Sequence, residues 1–157
     1  MQRKKIMLRV NGSARSQPAR RVTISPWKPT ILVAEDSADS REMMQVMLEF
    51  RGYQVVSAEN GLRALELAIR NQPDAVLLDL ELPKLDGLSV VRNLRLHPKL
   101  KRVPVIILSG HDPSRYRQAA LDAGCDDYLL KPISFDRLHE LLDQFVPRPG
   151  RRAVKSA

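Results

Sequence analysis

A chain of 157 residues has room for one hydrophobic core and its tails. It is 43% hydrophobic but only 4% aromatic, so aliphatic side chains must fill that core. No run approaches the roughly 20 apolar residues of a bilayer-spanning helix, the start "MQRKKIMLRVNGSAR" has no apolar run of signal-peptide length, and the single cysteine, Cys125, excludes an intramolecular disulfide and a multi-cysteine metal site. A soluble, cytoplasmic protein is expected.

The net charge of +8 suggests nucleic acid until it is located. Residues 1–28 carry eight basic residues and no acid, and residues 147–157 carry four and no acid. The segment between holds 14 bases against 18 acids, so an acidic domain at 29–146 is expected between two basic, disordered extensions.

From Thr30 onward, short β-branched runs alternate with longer amphipathic ones, the pattern of βα units around a parallel sheet. "TILVAED" reads as a strand, and Asp39 to Arg51 as a helix with Met43, Met47 and Phe50 on its inner face, ended by Gly52. "YQVVSA" is a second strand, and "NGLRALELAIRNQ" a second helix with Leu62, Leu65 and Ile69 inward, stopped before Pro73. "DAVLLD" is a third strand, apolar enough to be covered on both faces. Gly87 to Leu96 forms a third helix, with Asp86 as turn and helix start. "VPVIILSG" is a fourth strand and Pro113 to Ala123 a fourth helix closed by Gly124. "DDYLL" is the fifth strand, and the last helix runs from about Ser134 to Val146 with Phe135, Leu138, Leu142 and Phe145 inward.

Parallel α/β sheets place ligand sites at the carboxyl ends of their strands. There this sequence sets Glu35 and Asp36, then Asp79, then Ser109 and Gly110, then Lys131 before Pro132. Three clustered carboxylates need a cation, shared protons or both. All-oxygen ligands without nearby His or Cys suit Mg²⁺ or Mn²⁺, and Mg²⁺ commonly shares its shell with phosphate oxygens. Lys131, Ser109 and the N–H of Gly110 suit a phosphoryl group. An aspartate carboxylate can itself attack phosphorus to give an acyl phosphate.

Together "ILVAEDS", "LLDLELPKLDG", "PVIILSG" and "DDYLLKP" resemble the receiver domain of two-component response regulators over roughly Pro29 to Val146. The resemblance implies a flavodoxin-like α/β fold, a five-stranded parallel sheet of order 2-1-3-4-5 with helices on both faces. It makes Asp79 the phosphoacceptor, and Glu35, Asp36, Asp79 and the backbone carbonyl of Glu81 the Mg²⁺ (or Mn²⁺) ligands. Ser109 becomes the switch hydroxyl, Lys131 the phosphoryl-binding lysine, Tyr128 the rotameric aromatic, and Lys131–Pro132 a cis peptide. Glu in place of Asp at the first acidic position is a variant the family tolerates.

The function expected is that of a single-domain response regulator, similar to the chemotaxis type. It takes a phosphoryl group from a sensor histidine kinase or histidine phosphotransfer protein and signals by protein binding or phosphorelay, as a monomer or weak dimer. Three rivals are less well supported. An aspartyl-phosphate phosphatase would carry a second acidic motif late in the chain, a non-phosphorylated receiver-like module would lack an acid or the lysine, and specific nucleic-acid binding through the tails sits badly with the acidic centre. His97 and His139 are expected at the surface. His111, two residues past Ser109, belongs to the loop over the site, where with Glu81 it can affect water access; no chemistry is expected of Cys125.

Overall fold

The computed structural model describes residues 27–147, so the two basic extensions lie almost wholly outside the described residues. Strands β1 (Thr30–Ala34), β2 (Gln54–Ala58), β3 (Ala75–Asp79), β4 (Val105–Ser109) and β5 (Asp127–Leu130) alternate with helices α1 (Ala38–Phe50), α2 (Gly61–Asn71), α3 (Gly87–Leu96), α4 (Pro113–Ala123) and α5 (Phe135–Phe145). Every strand pairing is parallel and the order is β2-β1-β3-β4-β5, as expected. Chain direction across the sheet reverses between β1 and β3, so the loops after these strands diverge and open a crevice between them.

Alternation along the strands divides the core in two. Leu32, Val76, Leu78, Val105 and Ile107 face α2, α3 and α4 through Ala64, Leu67, Val90, Leu94 and Ala120. Ile31, Val33, Leu77, Ile106 and Leu108 face α1 and α5 through Met44, Leu48, Leu138, Leu141 and Leu142. The central strands β3 and β4 are buried along their whole length. Each helix begins at a polar cap, Ser37, Asn60, Asp86, Asp112 or Ser134, whose side chain accepts an N–H of the first turn. Gly52 and Gly124, at φ 91° and 107°, take the left-handed conformation that turns the chain out of α1 and α4.

Two helices are rotated from the sequence expectation. In α1, Met44 and Leu48 are buried, whereas Met43 and Phe50 are exposed, Phe50 at 85%. Apolar residues crowd α1 so densely that two stripes overlap. Packing selects one of them: Met44 and Leu48 lie in the core cluster that holds Ile31, Val33 and Leu77 of the sheet. In α2, Leu62 and Ile69 are exposed, Leu65 is half-buried, and the inner face is Gly61, Ala64, Leu67 and Ala68. At its start the helix lies directly against the β3–α3 loop, where only glycine fits: a Cβ on Gly61 would fall 1.8 Å from the carbonyl oxygen of Leu85. In α5, Leu138 and Leu142 are inward as expected, joined by Leu141, with Phe135 and Phe145 half-buried at the ends.

Candidate functional site

The loop after β1 carries Glu35 and Asp36. Glu35 is buried, its N–H donating to the Ala58 carbonyl at 3.0 Å and its Oε1 accepting the Ser37 N–H at 3.1 Å. Asp36 is exposed. Asp79, the last residue of β3, is only 8% exposed, and its Oδ1 accepts the Glu81 N–H at 2.9 Å. One carboxylate oxygen from each of Glu35, Asp36 and Asp79 lies within 4.8 Å of the others. The apolar run into Asp79 therefore delivers its carboxylate to a polar mouth.

Lys131 follows β5 and crosses to this cluster. Its Nζ donates to Glu35 Oε2 at 2.6 Å and to Asp79 Oδ2 at 2.8 Å. Burial works to lower the Lys131 pKa, but the hydrogen bonds to Asp79 and Glu35 outweigh it and hold the ammonium above its ordinary range. Burial pushes the Glu35 carboxyl up, more than the hydrogen bonds from Lys131 and Ser37 draw it down, and the Asp79 charge adds to the rise. One lysine thus faces three carboxylates. The surplus negative charge and hard oxygen donors fit a divalent cation of the Mg²⁺ class.

Ser109, at the end of β4, is buried, and its Oγ accepts the His111 N–H at 3.1 Å. The backbone carbonyl of Ser109 accepts the Lys131 N–H at 2.7 Å, which ties the β4 and β5 ends together. Tyr128 already points inward, with its hydroxyl donating to the His111 carbonyl at 2.9 Å. The His111 ring leans on Tyr116 and meets Glu81 at 2.5 Å between Nε2 and Oε1, so these two side chains bridge the β3–α3 and β4–α4 loops. The Lys131–Pro132 peptide is cis. Beside Lys131 a cleft of about 380 Å³ is lined by Glu35, Met43, Met44, Ile133 and Phe135 among others.

The remaining residues singled out in the sequence lie apart from this cluster or serve the fold. Asp86 caps α3, and the hydrogen bond from the Ser89 hydroxyl holds its carboxyl below the ordinary range. Cys125 is buried, and burial pushes its thiol up to about 11. His97 is half-buried and accepts the Lys99 N–H. His139, expected at the surface, is half-buried between Asp143 at 3.5 Å and the ring of Tyr53. Sequence reasoning missed Arg41, whose Nη1 donates to the carbonyls of Glu35 at 2.7 Å and Asp36 at 3.2 Å. The available signal was a cation in the first turns of a helix, where the helix dipole disfavours it.

Residues 31–143 match the family model described as the response regulator receiver domain. Over 124 residues the chain is 44% identical to the response regulator MprA of Mycobacterium sp. strain KMS, an alignment covering 76% of this chain and 53% of that protein. The chain thus spans about half the length of the curated relatives it matches. Among solved structures it resembles the receiver domain of the sensor histidine kinase PA1611 from Pseudomonas aeruginosa PAO1, which has a magnesium ion coordinated in its active-site cleft. That match has a TM-score of 0.71 and 34% identity, and covers 76% of this chain and 98% of that one. The chemotaxis protein CheY4 of Vibrio cholerae matches with a TM-score of 0.72 and 25% identity, over 76% of this chain and 100% of that one. The strand order, the acidic crevice and these matches agree: the chain belongs to the response regulator receiver domain family of two-component signalling.

Proposed function

We propose that Asp79 accepts a phosphoryl group from a phosphohistidine on a sensor histidine kinase or a histidine phosphotransfer protein. The observation that carries this reading is the convergence of Lys131 on Asp79 at 2.8 Å, beside the three-carboxylate cluster at the crevice. Both oxygens of Asp79 are oriented, Oδ1 by the Glu81 N–H and Oδ2 by Lys131. Attack by this carboxylate forms an oxygen–phosphorus bond as the phosphorus–nitrogen bond of the donor breaks and the imidazole leaves. Glu35, Asp36, Asp79 and the Glu81 carbonyl would hold Mg²⁺ (or Mn²⁺), which when bound supplies neutralisation of the charge on the transferring group. Lys131 provides a second, fixed positive charge on the same oxygens.

In this reading the domain catalyses only its own phosphorylation and dephosphorylation, and its output is a change of surface. Ser109 moves toward the phosphoryl group and takes with it the loop through His111, whose N–H it already holds. Tyr128, bonded to the His111 carbonyl, follows the same loop, and the surface of α4, β5 and α5 shifts between populations. A protein donor is supported by the exposed Met43, Val46 and Phe50 along α1, of which Met43 lines the cleft beside Lys131.

We read the unit as a cytoplasmic single-domain regulator, monomeric or weakly dimeric, that signals to a downstream protein or along a phosphorelay and binds no specific nucleic acid. The flanking residues 1–28 and 147–157 are read as basic extensions. Among the described residues no helix is long and apolar enough to cross a membrane. The mass of the protein isolated from its own cell tests the single-domain organisation. The phosphoacceptor is tested by borohydride reduction after treatment with acetyl phosphate and Mg²⁺, which converts an aspartyl phosphate to homoserine. Peptide mass mapping should find homoserine at position 79; its appearance elsewhere would reassign the site.

A further inference from the structure

Arg41 occupies the second turn of α1, where the helix N-terminus disfavours a cation. Its guanidinium is directed back onto the loop before the helix, where Nη1 donates to two successive carbonyls, Glu35 at 2.7 Å and Asp36 at 3.2 Å. The side chains of these two residues are two of the three clustered carboxylates. They are not held equally. Glu35 is tied by its own N–H, by Ser37 and by Lys131, and is buried. Asp36 is exposed, and among the described residues no hydrogen bond or ion pair holds its carboxylate. What the carboxylate can reach is therefore set by the position of its backbone, and Arg41 grips that backbone.

We propose that Arg41 is a positioning residue for the divalent-cation site, fixing the β1–α1 loop so that Asp36 is presented to the ion. The inference rests on reading the cluster as a cation site, as in the proposed function. Its sign is not trivial, because Arg41 acts in two opposed ways. As a fixed positive charge near the site it repels a divalent cation, so on charge alone its removal tightens binding. As a clamp on the loop it lowers the cost of ordering Asp36, so its removal weakens binding. A polar group that holds a metal-ligating side chain is commonly worth 10- to 100-fold in metal affinity; Arg41 holds the backbone of two such residues, so the lower end applies, whereas repulsion from a half-exposed guanidinium is screened by water and salt. The clamp should win.

Titration of the metal-free protein with Mn²⁺, followed by the electron paramagnetic resonance of the free ion, reads affinity without any phosphorylation step. Arg41→Gln, which loses charge and clamp together, is expected to bind roughly tenfold more weakly than wild type. Arg41→Lys keeps the charge and one donor but lacks the planar fork, and should fall between the two. Unchanged binding in Arg41→Lys together with equal or tighter binding in Arg41→Gln would overturn the proposal, since charge alone produces that order. A fall in melting temperature with wild-type Mn²⁺ affinity at 25 °C would overturn it too, leaving Arg41 a helix-stabilising residue only. Asp36→Ala separates the cation site itself from the role of Arg41. If it binds Mn²⁺ like wild type, the cation-site reading fails and the positioning role falls with it; if it binds weakly while both Arg41 variants bind normally, only the role of Arg41 fails.

Discussion

Lys131 holds Asp79 and Glu35 together: a single ammonium donates to both carboxylates, at 2.8 and 2.6 Å, across the C-terminal edge of the sheet. Without it, two largely buried carboxylates would face each other with no fixed cation between them.

Lys131→Ala should therefore lose stability in metal-free buffer, by roughly 1–2 kcal/mol once the partial exposure of the lysine is discounted from the value of a fully buried pair. Because Asp79 and the carboxylate cluster remain, the variant should still be phosphorylated by acetyl phosphate with Mg²⁺. Its response to beryllofluoride, a stable stand-in for the phosphoryl group, should be confined to amides near Asp79. Wild-type-like shifts in α4 and β5 of this variant would show that the lysine does not transmit the signal.

Gly87 packs its α-carbon against the backbone of Asp79, where an added Cβ would lie 2.4 Å from the Asp79 carbonyl oxygen. Gly87→Ala should cost about 2 kcal/mol or more in chemical denaturation, through overpacking against main chain that cannot turn aside. It should also slow phosphorylation of Asp79. A stability within about 0.5 kcal/mol of wild type would mean that α3 shifts freely and does not set the position of Asp79.

Tyr128→Phe removes the hydrogen bond to the His111 carbonyl and leaves the buried ring in place. A loss of about 1 kcal/mol is expected, together with faster amide exchange in the loop after β4. Ser109→Ala, which removes the acceptor for the His111 N–H, should loosen the same loop and shrink the beryllofluoride response far from the site. Unaltered exchange at His111 and Asp112 in both variants would separate this loop from the proposed switch.

Asp86 offers a pH test that does not involve the cluster. Its carboxyl lies below its ordinary range because of the Ser89 hydroxyl, so its ionised form stabilises the folded state above pH 3.8, and this contribution is lost as pH falls through the lower folded-state value. Asp86→Ala should be less stable than wild type by about 1 kcal/mol at pH 7, the usual worth of a helix cap. The difference should narrow below pH 3.8, while Mn²⁺ affinity stays unchanged. Weakened Mn²⁺ binding would give Asp86 a chemical role that its position at the start of α3 does not suggest.

Much of this arrangement is legible in the sequence because it depends on chain-local signals. Apolar strand runs punctuated by Gly, Pro and polar caps give the element order, and in a parallel sheet that order alone brings Glu35, Asp36, Asp79, Ser109 and Lys131 to one edge. Helix rotation is less legible. α1 carries two overlapping apolar stripes, and only packing against the sheet selects Met44 and Leu48 over Met43 and Phe50. In α2 the close approach of Gly61 to Leu85 links residues 24 positions apart, and the buried face is that of Gly61, Ala64, Leu67 and Ala68 instead of that of Leu62 and Ile69. Arg41 is hidden for a similar reason, since its contacts are to backbone carbonyls that any sequence would supply.

Whether Asp79 accepts the phosphoryl group is decided by intact-mass measurement of wild type and Asp79→Asn side by side after incubation with acetyl phosphate and Mg²⁺. Wild type should gain the mass of one phosphoryl group, lose it on addition of hydroxylamine, and gain nothing when a chelator is present from the start. Asp79→Asn should remain at its unmodified mass throughout. Full labelling of Asp79→Asn would contradict the assignment, and so would a wild-type protein that stays unmodified while it demonstrably binds the ion.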